Sequence, residues 1–337
     1  MDDAEPLVVE SKISIFGAPS TLNVARQQPL SSRTSVKLCF LIGSSELVKV
    51  VGSYGIRYYN GDTFPMDQTF FVVLLELSKA LVCFFVHTLT HEGSAWSPFN
   101  WRLLLPSVVY AMTNNIFLLS LAYVTPAVWM VLVQARIPLT LFLYKVLFRR
   151  IISGSQWIGA SLMCIAIGVC QLPELSAGVT RNLAVAFVLA LLNSVLSASA
   201  AVYTELLFKN PQHSNIWKQQ FQMYTGGAVF ALVPFIYSSL VFQKELISEA
   251  PASIWCLVLL TWFTAAMHGI CVALLVKKLD NVVKYQVACV VHLLNSGLNQ
   301  LLFPDRFTLT PHFAISLIIL FYAVHVYENR TFALTKR

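Results

Sequence analysis

The chain has 337 residues, of which 57% are hydrophobic and only 12% charged. A soluble domain carries about a quarter charged residues, so this chain lacks the polar side chains to wrap a water-soluble core. Its net charge of +7 leaves nucleic-acid binding open until the basic residues are placed along the chain.

In chain order, residues 1–35 are the polar part, acidic over Met1 to Glu10, with no apolar run that would make a cleavable signal. They read as a short, disordered cytosolic tail. Ten apolar stretches follow: Val36 to Tyr58, Gln68 to Leu89, Leu103 to Tyr123, Ala127 to Leu147, Gln156 to Leu172, Leu183 to Phe208, Trp217 to Phe242, Ile254 to Val276, Val282 to Phe303 and Thr310 to Tyr327. About twenty apolar residues cross the roughly 30 Å hydrocarbon core as a helix, the form that satisfies its own backbone polar groups there. The expected fold is therefore all-α, a polytopic membrane protein of ten transmembrane helices over 36–330, with residues 331–337 as a C-terminal cytosolic tail. All seven cysteines fall inside the stretches, which implies neither a disulfide framework nor a zinc site.

Lysine and arginine counts orient the spans. One set of loops, with both termini, holds 16 of the 23 basic residues; the other holds four, Arg57, Arg181, Lys244 and Arg306. Both termini are thus expected in the cytosol. The positive charge becomes an orientation signal, and nucleic acid drops out as a partner.

Three basic residues, Lys49, Lys79 and Arg136, lie inside spans together with Glu46 and Glu76. A charge at the bilayer centre costs about 2.5–3.5 kcal/mol on insertion scales, so it is kept where a bundle interior or wet cavity receives it. Glu46 and Lys49 are three residues apart, as are Glu76 and Lys79, which stacks each pair on one helix face. The first pair reads better as a self-neutralised lock between helices, and Glu46→Ala is expected mainly to harm folding. Lys79 with Arg136, which has no acidic neighbour on its own helix, reads as a cationic cavity suited to an anion. Alanine at either position is expected to abolish activity and leave expression largely intact.

Thr113, Asn114 and Asn115 interrupt the third apolar stretch, and Gln220 with Tyr224 shares one face of the seventh. His292, Asn295, Ser296 and Asn299 form a polar stripe in the ninth that fits interhelical packing or cavity lining equally. His292 has no accompanying carboxylates, so no metal site is expected. Ala160, Cys164 and Gly168 form a small-residue stripe that suits close helix approach, within the chain or in a homodimer. A divide near Pro173 to Arg181 splits the spans into two halves of five, approximately 36–173 and 182–330. An odd number per half makes them inverted repeats, an arrangement that places transporter sites between the halves near the midplane.

Six ordered motifs then point to one family. Pro106 to Asn115, reading PSVVYAMTNN, resembles the "PSLVYAxQNN" segment of the nucleotide-sugar transporters, the solute carrier 35 subfamily A-like branch of the drug/metabolite transporter superfamily. Leu75 to Lys79 is similar to that family's Glu-x-x-Lys helix, and WMVLVQARIP from Trp129 to Pro138 resembles "YQVxYQLKIP". VYTELLFK from Val202, WKQQFQMY from Trp217 and VKKLDNVVK from Val276 resemble "VYxEKxLK", "WxxNxQMY" and "VKYxDNIxK".

The resemblance implies an antiporter, not an enzyme, with no cofactor. It would bring a cytosolic nucleotide sugar, such as UDP-N-acetylglucosamine or UDP-galactose, into the Golgi lumen, or that of the endoplasmic reticulum, in exchange for a nucleoside monophosphate. It implies that Lys79, Arg136 and Lys284 face phosphates or sugar and that Glu76 orients Lys79. Asn114, Asn115, Trp129, Gln220, Tyr224 and Gly226 would surround base and ribose, and Tyr203 would line the path. Expected partners are these nucleotides, the lipid bilayer, and a second copy, related transporters or glycosyltransferases. The chain departs from the family pattern at Arg136, Trp129, Gln220 and Gly226, and at Tyr285 to Ala288, where many members carry Gly-Phe and small residues. That bulk keeps open an alternative, a transport-inactive scaffold or regulator in the Golgi membrane. A membrane enzyme fits less well, since metal-diphosphate chemistry needs clustered carboxylates that no loop carries.

Overall fold

The computed structural model describes residues 10–13, 20–23, 32–90, 95, 98–148, 152–176, 181–208, 215–242, 246–278 and 281–328. Eleven α-helices form the body: α1 (Ser32–Tyr59), α2 (Gln68–Thr90), α3 (Leu104–Ser120), α4 (Pro126–Leu132), α5 (Arg136–Phe148), α6 (Gly154–Ser176), α7 (Arg181–Phe208), α8 (Ile216–Phe242), α9 (Ala252–Lys278), α10 (Asn281–Leu302) and α11 (Pro311–Glu328). In the tail, where sequence gives disorder, β1 (Glu10–Ile13) pairs antiparallel with β2 (Ser20–Asn23). Each apolar stretch falls on a helical run, the fourth being α4 and α5 joined through a tighter turn at Val133–Ala135. Among the described residues, seven runs are long and apolar enough to cross a membrane, and two shorter apolar helices span Gly154–Cys170 and Pro311–Tyr327.

The helix starts follow local chemistry. Asp67 precedes α2 and accepts from the Thr69 amide at 2.7 Å and the Phe70 amide at 3.2 Å, which satisfies donors that a helix start leaves open. Pro126 opens α4, where its missing N–H loses nothing. At α11, Thr310 Oγ1 accepts from the Phe313 amide at 3.2 Å.

The helices pack chiefly in pairs: α2 along α8, α6 along α11, and α1 along α9 and α10, while α7 takes α3 and α5. Small residues permit the closest approaches. A Cβ on Gly159 would lie 2.8 Å from the Ala323 carbonyl oxygen, and one on Gly52 would collide with Thr261 Oγ1. Gly159 thus makes the close α6–α11 contact, and Ala160 is buried beside it. Cys164 is exposed, and a Cβ on Gly168 would meet nothing within 4 Å.

One end of the bundle is bound together by its connections. Arg306 Nη2 lies 2.7 Å from Asp62 Oδ2, and Tyr58 donates to Asp305 at 2.9 Å. The Ser248 amide donates to the Pro65 carbonyl at 2.8 Å, and Ser238 donates to Asp67 at 2.7 Å. Above them Tyr54, Tyr58 and Phe303 form an aromatic cluster. At the opposite end Gln222 donates to the carbonyls of Ala95 (3.0 Å) and Pro98 (3.2 Å) and accepts from the Asn100 amide at 3.1 Å. Between the two ends lies a polar cavity.

Candidate functional site

Two adjoining cavities, of about 160 and 170 Å³, share Lys49, Tyr110 and Asn114 in their walls. The first continues past Glu46, Asn193, Trp129 and Arg136; the second past Lys79, Thr204, Tyr224 and His268. Seven helices, α1, α2, α3, α5, α7, α8 and α9, contribute polar groups to this central space, and five charged side chains cluster around it.

The Glu76–Lys79 pair is its most ordered part. Both residues are buried, 1% and 4% exposed, with Lys79 Nζ 2.6 Å from Glu76 Oε1. Asn114 Nδ2 donates to the same carboxylate oxygen at 2.8 Å. Lys79 Nζ also stands 4.4 Å from the centre of the Tyr224 ring, a cation–π contact, while the Tyr224 hydroxyl donates to the Gly269 carbonyl at 3.0 Å. Two glycines make room: a Cβ on Gly227 would lie 3.0 Å from Glu76 Oε2, and one on Gly269 3.0 Å from Lys79 Cδ. The ammonium is thus held at the cavity wall by a carboxylate, an aromatic face and a bare stretch of α9.

Glu46 and Lys49 take a place that the sequence did not assign to them. Expected as a self-neutralised lock between helices, both also line the cavity, with Lys49 at the junction of its two parts. Lys49 Nζ lies 5.6 Å from the centre of the Phe117 ring, and the charges of Glu46, Arg136 and Lys79 all reach it. Three cations, Lys49, Lys79 and Arg136, therefore face two carboxylates. One positive charge is left in excess, in a partly enclosed space where Coulomb energies are larger than in water.

Of the residues singled out in the sequence, the structure brings Lys79, Asn114, Trp129, Arg136 and Tyr224 to the cavity, with Glu76 directly behind Lys79. It does not bring four others there. Asn115 lies on another face of α3, its Nδ2 donating to the Ala111 carbonyl at 2.8 Å, and borders a separate cleft. Gln220 is fully buried against Cys83, whose Sγ lies 3.8 Å from its Oε1. Gly226 seats against Ser107, where a Cβ would meet Oγ at 3.0 Å. Tyr203 packs beside the Phe221 and Tyr224 cluster without lining either cavity. Lys284 lies on α10 with its side chain outside the described residues, as are those of Tyr285, Gln286 and His292. Asn295 and Asn299 are fully buried, bonded to each other at 2.9 Å, and line neither of the two cavities.

Sequence reasoning missed His268, Asn193 and Ser197. His268 Nδ1 stands 3.4 Å from Ser45 Oγ in the second cavity's wall. Asn193 is 8% exposed, and its Oδ1 has no hydrogen-bond partner among the described residues. The signal was available: Asn193 and Ser197 are four residues apart, on one face of an otherwise apolar helix. Among the described residues no group of His, Cys, Asp and Glu is arranged to hold a metal ion.

Comparison with known proteins agrees with this architecture. The family model "Nucleotide-sugar transporter" matches residues 50–328. CMP-sialic acid transporter 1 of Oryza sativa subsp. japonica is 29% identical, over 65% of this chain and 71% of that protein. UDP-galactose translocator 1 of Caenorhabditis elegans is 23% identical, over 95% of this chain and 96% of its own length. Probable UDP-sugar transporter protein SLC35A4 of Xenopus tropicalis is 24% identical, over 83% and 89%. A solved crystal structure superimposes with a TM-score of 0.61 at 12% identity, covering 89% of this chain and 98% of that one, which shows the fold alone. The chain belongs to the nucleotide-sugar transporter family, whose members are transporters and not enzymes.

Proposed function

We propose that the protein is an antiporter that exchanges a cytosolic UDP-sugar for a lumenal nucleoside monophosphate across the Golgi membrane. The observation that carries this reading is the central cavity in which Lys49, Lys79 and Arg136 outnumber Glu46 and Glu76. A buried site with excess positive charge and an aromatic wall suits a ligand that combines phosphates with a base. Lys79 and Arg136 hold the phosphates, Glu76 sets the position of Lys79, and Tyr224, Trp129 and Asn114 supply two ring faces and an amide for base and ribose. Lys49, between the two parts of the cavity, joins the phosphate contacts.

Exchange follows from charge. A nucleoside monophosphate carries close to two negative charges near pH 7, because a phosphate monoester's second pKa is about 6. A nucleotide sugar's diphosphate also carries two, so the swap moves no net charge. With a ligand bound, its two negative charges meet the site's one excess cation and Lys284, the further cation that the family resemblance turns toward phosphates or sugar. Without one the excess cation stays uncompensated in the bundle, which disfavours reorientation of the empty carrier.

The proposed frame is ten spans in two inverted repeats, with both termini cytosolic. Its support is the packing: exchanging the halves maps α1 on α7, α2 on α8 and α3 on α9, with α4–α5 on α10 and α6 on α11. Under that exchange the α1–α9 contact becomes α7–α3, α1–α10 becomes α7–α5, and α2–α8 and α6–α11 map onto themselves. All are among the observed pairs. The choice of uridine rests on the UDP-galactose translocator, whose similarity runs over 95% of this chain, against 65% for the CMP-sialic acid transporter.

Equilibrium binding of UMP, CMP, GMP and AMP to the purified protein tests the site. UMP binding that is lost on Lys79→Met and Arg136→Met, in protein that remains folded, is the expected result. Equal binding of all four, or undiminished UMP binding by both variants, would remove the cavity from the account.

A further inference from the structure

Asn193 brings to the first cavity an amide that the fold itself does not use. Its side chain makes no hydrogen bond among the described residues, its Oδ1 is buried without a donor, and the residue is only 8% exposed. A buried amide left in this state costs free energy that a bound partner recovers. The helix fixes where it points. Ala190, three residues earlier, belongs to the buried cluster around Trp129 and Val133, and Ser197, four residues later, lines the first cavity together with Asn193. Positions at that spacing share one face of α7. Beside them Ser194 donates to the Val133 carbonyl at 3.2 Å, which pins this stretch of α7 against the turn between α4 and α5.

Trp129, Val133 and Arg136 follow one another at four- and three-residue spacing and line the same cavity. Asn193 therefore stands across from a run that carries an aromatic ring at one end and a guanidinium at the other. A ligand with its phosphate at Arg136 and a flat ring at Trp129 turns the edge of that ring toward Asn193. An amide offers a donor and an acceptor in one plane, and a base edge with matching groups side by side engages both, as in the bidentate asparagine–base pairs that read DNA. A single sugar hydroxyl would engage one end. Asn114, in the same wall, spends its Nδ2 on Glu76 at 2.8 Å.

We propose that Asn193 reads the nucleobase, with uracil N3–H donating to Oδ1 and the neighbouring ring carbonyl accepting from Nδ2. The inference rests on the exchange reading and adds to it a residue that recognises the base.

The test is a two-by-two comparison: titration of UMP and of N3-methyl-UMP, which lacks the ring N–H, into the purified native chain and into Asn193→Ala. The native chain is expected to prefer UMP at least about tenfold, as a site built to bond an N–H rejects the analogue without it. In Asn193→Ala, UMP should bind about tenfold more weakly and its preference over the methylated nucleotide should fall below about threefold, the coupling that marks a direct contact. The unfolding temperature should not fall, because the amide removed had no partner in the fold, and Asn193→Leu, with the same branched shape, replaces the alanine variant if that one is unstable. An amide that serves packing alone would weaken both nucleotides alike and leave their ratio unchanged. That result, or equal binding of the two nucleotides by a native chain whose UMP binding still requires Lys79, would overturn the role of Asn193 and leave the exchange reading standing. Failure of the folded native chain to bind UMP at all would overturn both.

Discussion

Removing Lys79 separates its role in the site from its role in the fold. In Lys79→Met, Glu76 stays 1% exposed and keeps Asn114 as a donor at 2.8 Å, but loses the ammonium at 2.6 Å. Stranding one member of a buried pair costs about 3–5 kcal/mol. Lys79→Met should therefore lower stability by that amount, more than the sequence-based expectation of intact expression allows. Glu76→Gln on top of it removes the stranded charge and should recover about 2–3 kcal/mol, so the two changes couple strongly. Exchange should stay absent in the double variant, because the phosphate-binding cation is still missing. Thermal unfolding in detergent and exchange in liposomes read the two effects separately. A double variant no more stable than Lys79→Met would refute the pairing argument, and one that transports would refute the role of Lys79.

Four further outcomes follow from the same geometry. Gly269→Val should push the Lys79 stem away from α9, where a Cβ already reaches within 3.0 Å of its Cδ, and weaken nucleotide binding about tenfold, measured by titration. Gly226→Ser should cost about 1–3 kcal/mol by crowding Ser107, with much of the loss regained in Ser107→Ala, read as unfolding temperature. Lys49→Met should reduce exchange at least about tenfold; unchanged exchange would return the Glu46–Lys49 pair to a purely structural role. Asp67 lies outside the spans. Burial alone would raise its carboxyl, but hydrogen bonds from the Thr69 and Ser238 hydroxyls and the Phe70 and Thr69 amides outweigh burial and hold it below the usual range. A depressed pKa contributes stability above the unfolded value, about 3.9, that is lost as pH falls through the folded value. Asp67→Ala should thus unfold earlier than the native chain at pH 7, by about 1–2 kcal/mol, with the gap closing at pH values below about 3.9.

Hydropathy made the helices legible, because a run of about twenty apolar residues has few alternatives to a membrane helix. The charges at the cavity wall were legible for the same reason: Lys79 and Arg136 stand out against an apolar background. What the sequence left open was rotation. Asn114 and Asn115 are neighbours, yet about 100° of helical turn separates them, and packing against α2 and α8 decides that the first faces Glu76 and the second the outer cleft. The cavity position of Glu46 and Lys49 was not legible, because an i,i+3 pair looks the same whether its face meets a helix or a cavity. The tighter turn at Val133–Ala135, immediately before Arg136, had a signal that the hydropathy reading passed over: Pro138 lacks the N–H that would bond the Gln134 carbonyl four residues earlier.

The central claim is tested most directly by uptake of a panel of radiolabelled nucleotide sugars into proteoliposomes that contain the purified protein and are preloaded with UMP, CMP, GMP, AMP or nothing. The account predicts UDP-sugar uptake that requires preloaded UMP and is absent from empty vesicles. Uptake at a comparable rate into empty vesicles, or none from any pairing by folded protein, would contradict it.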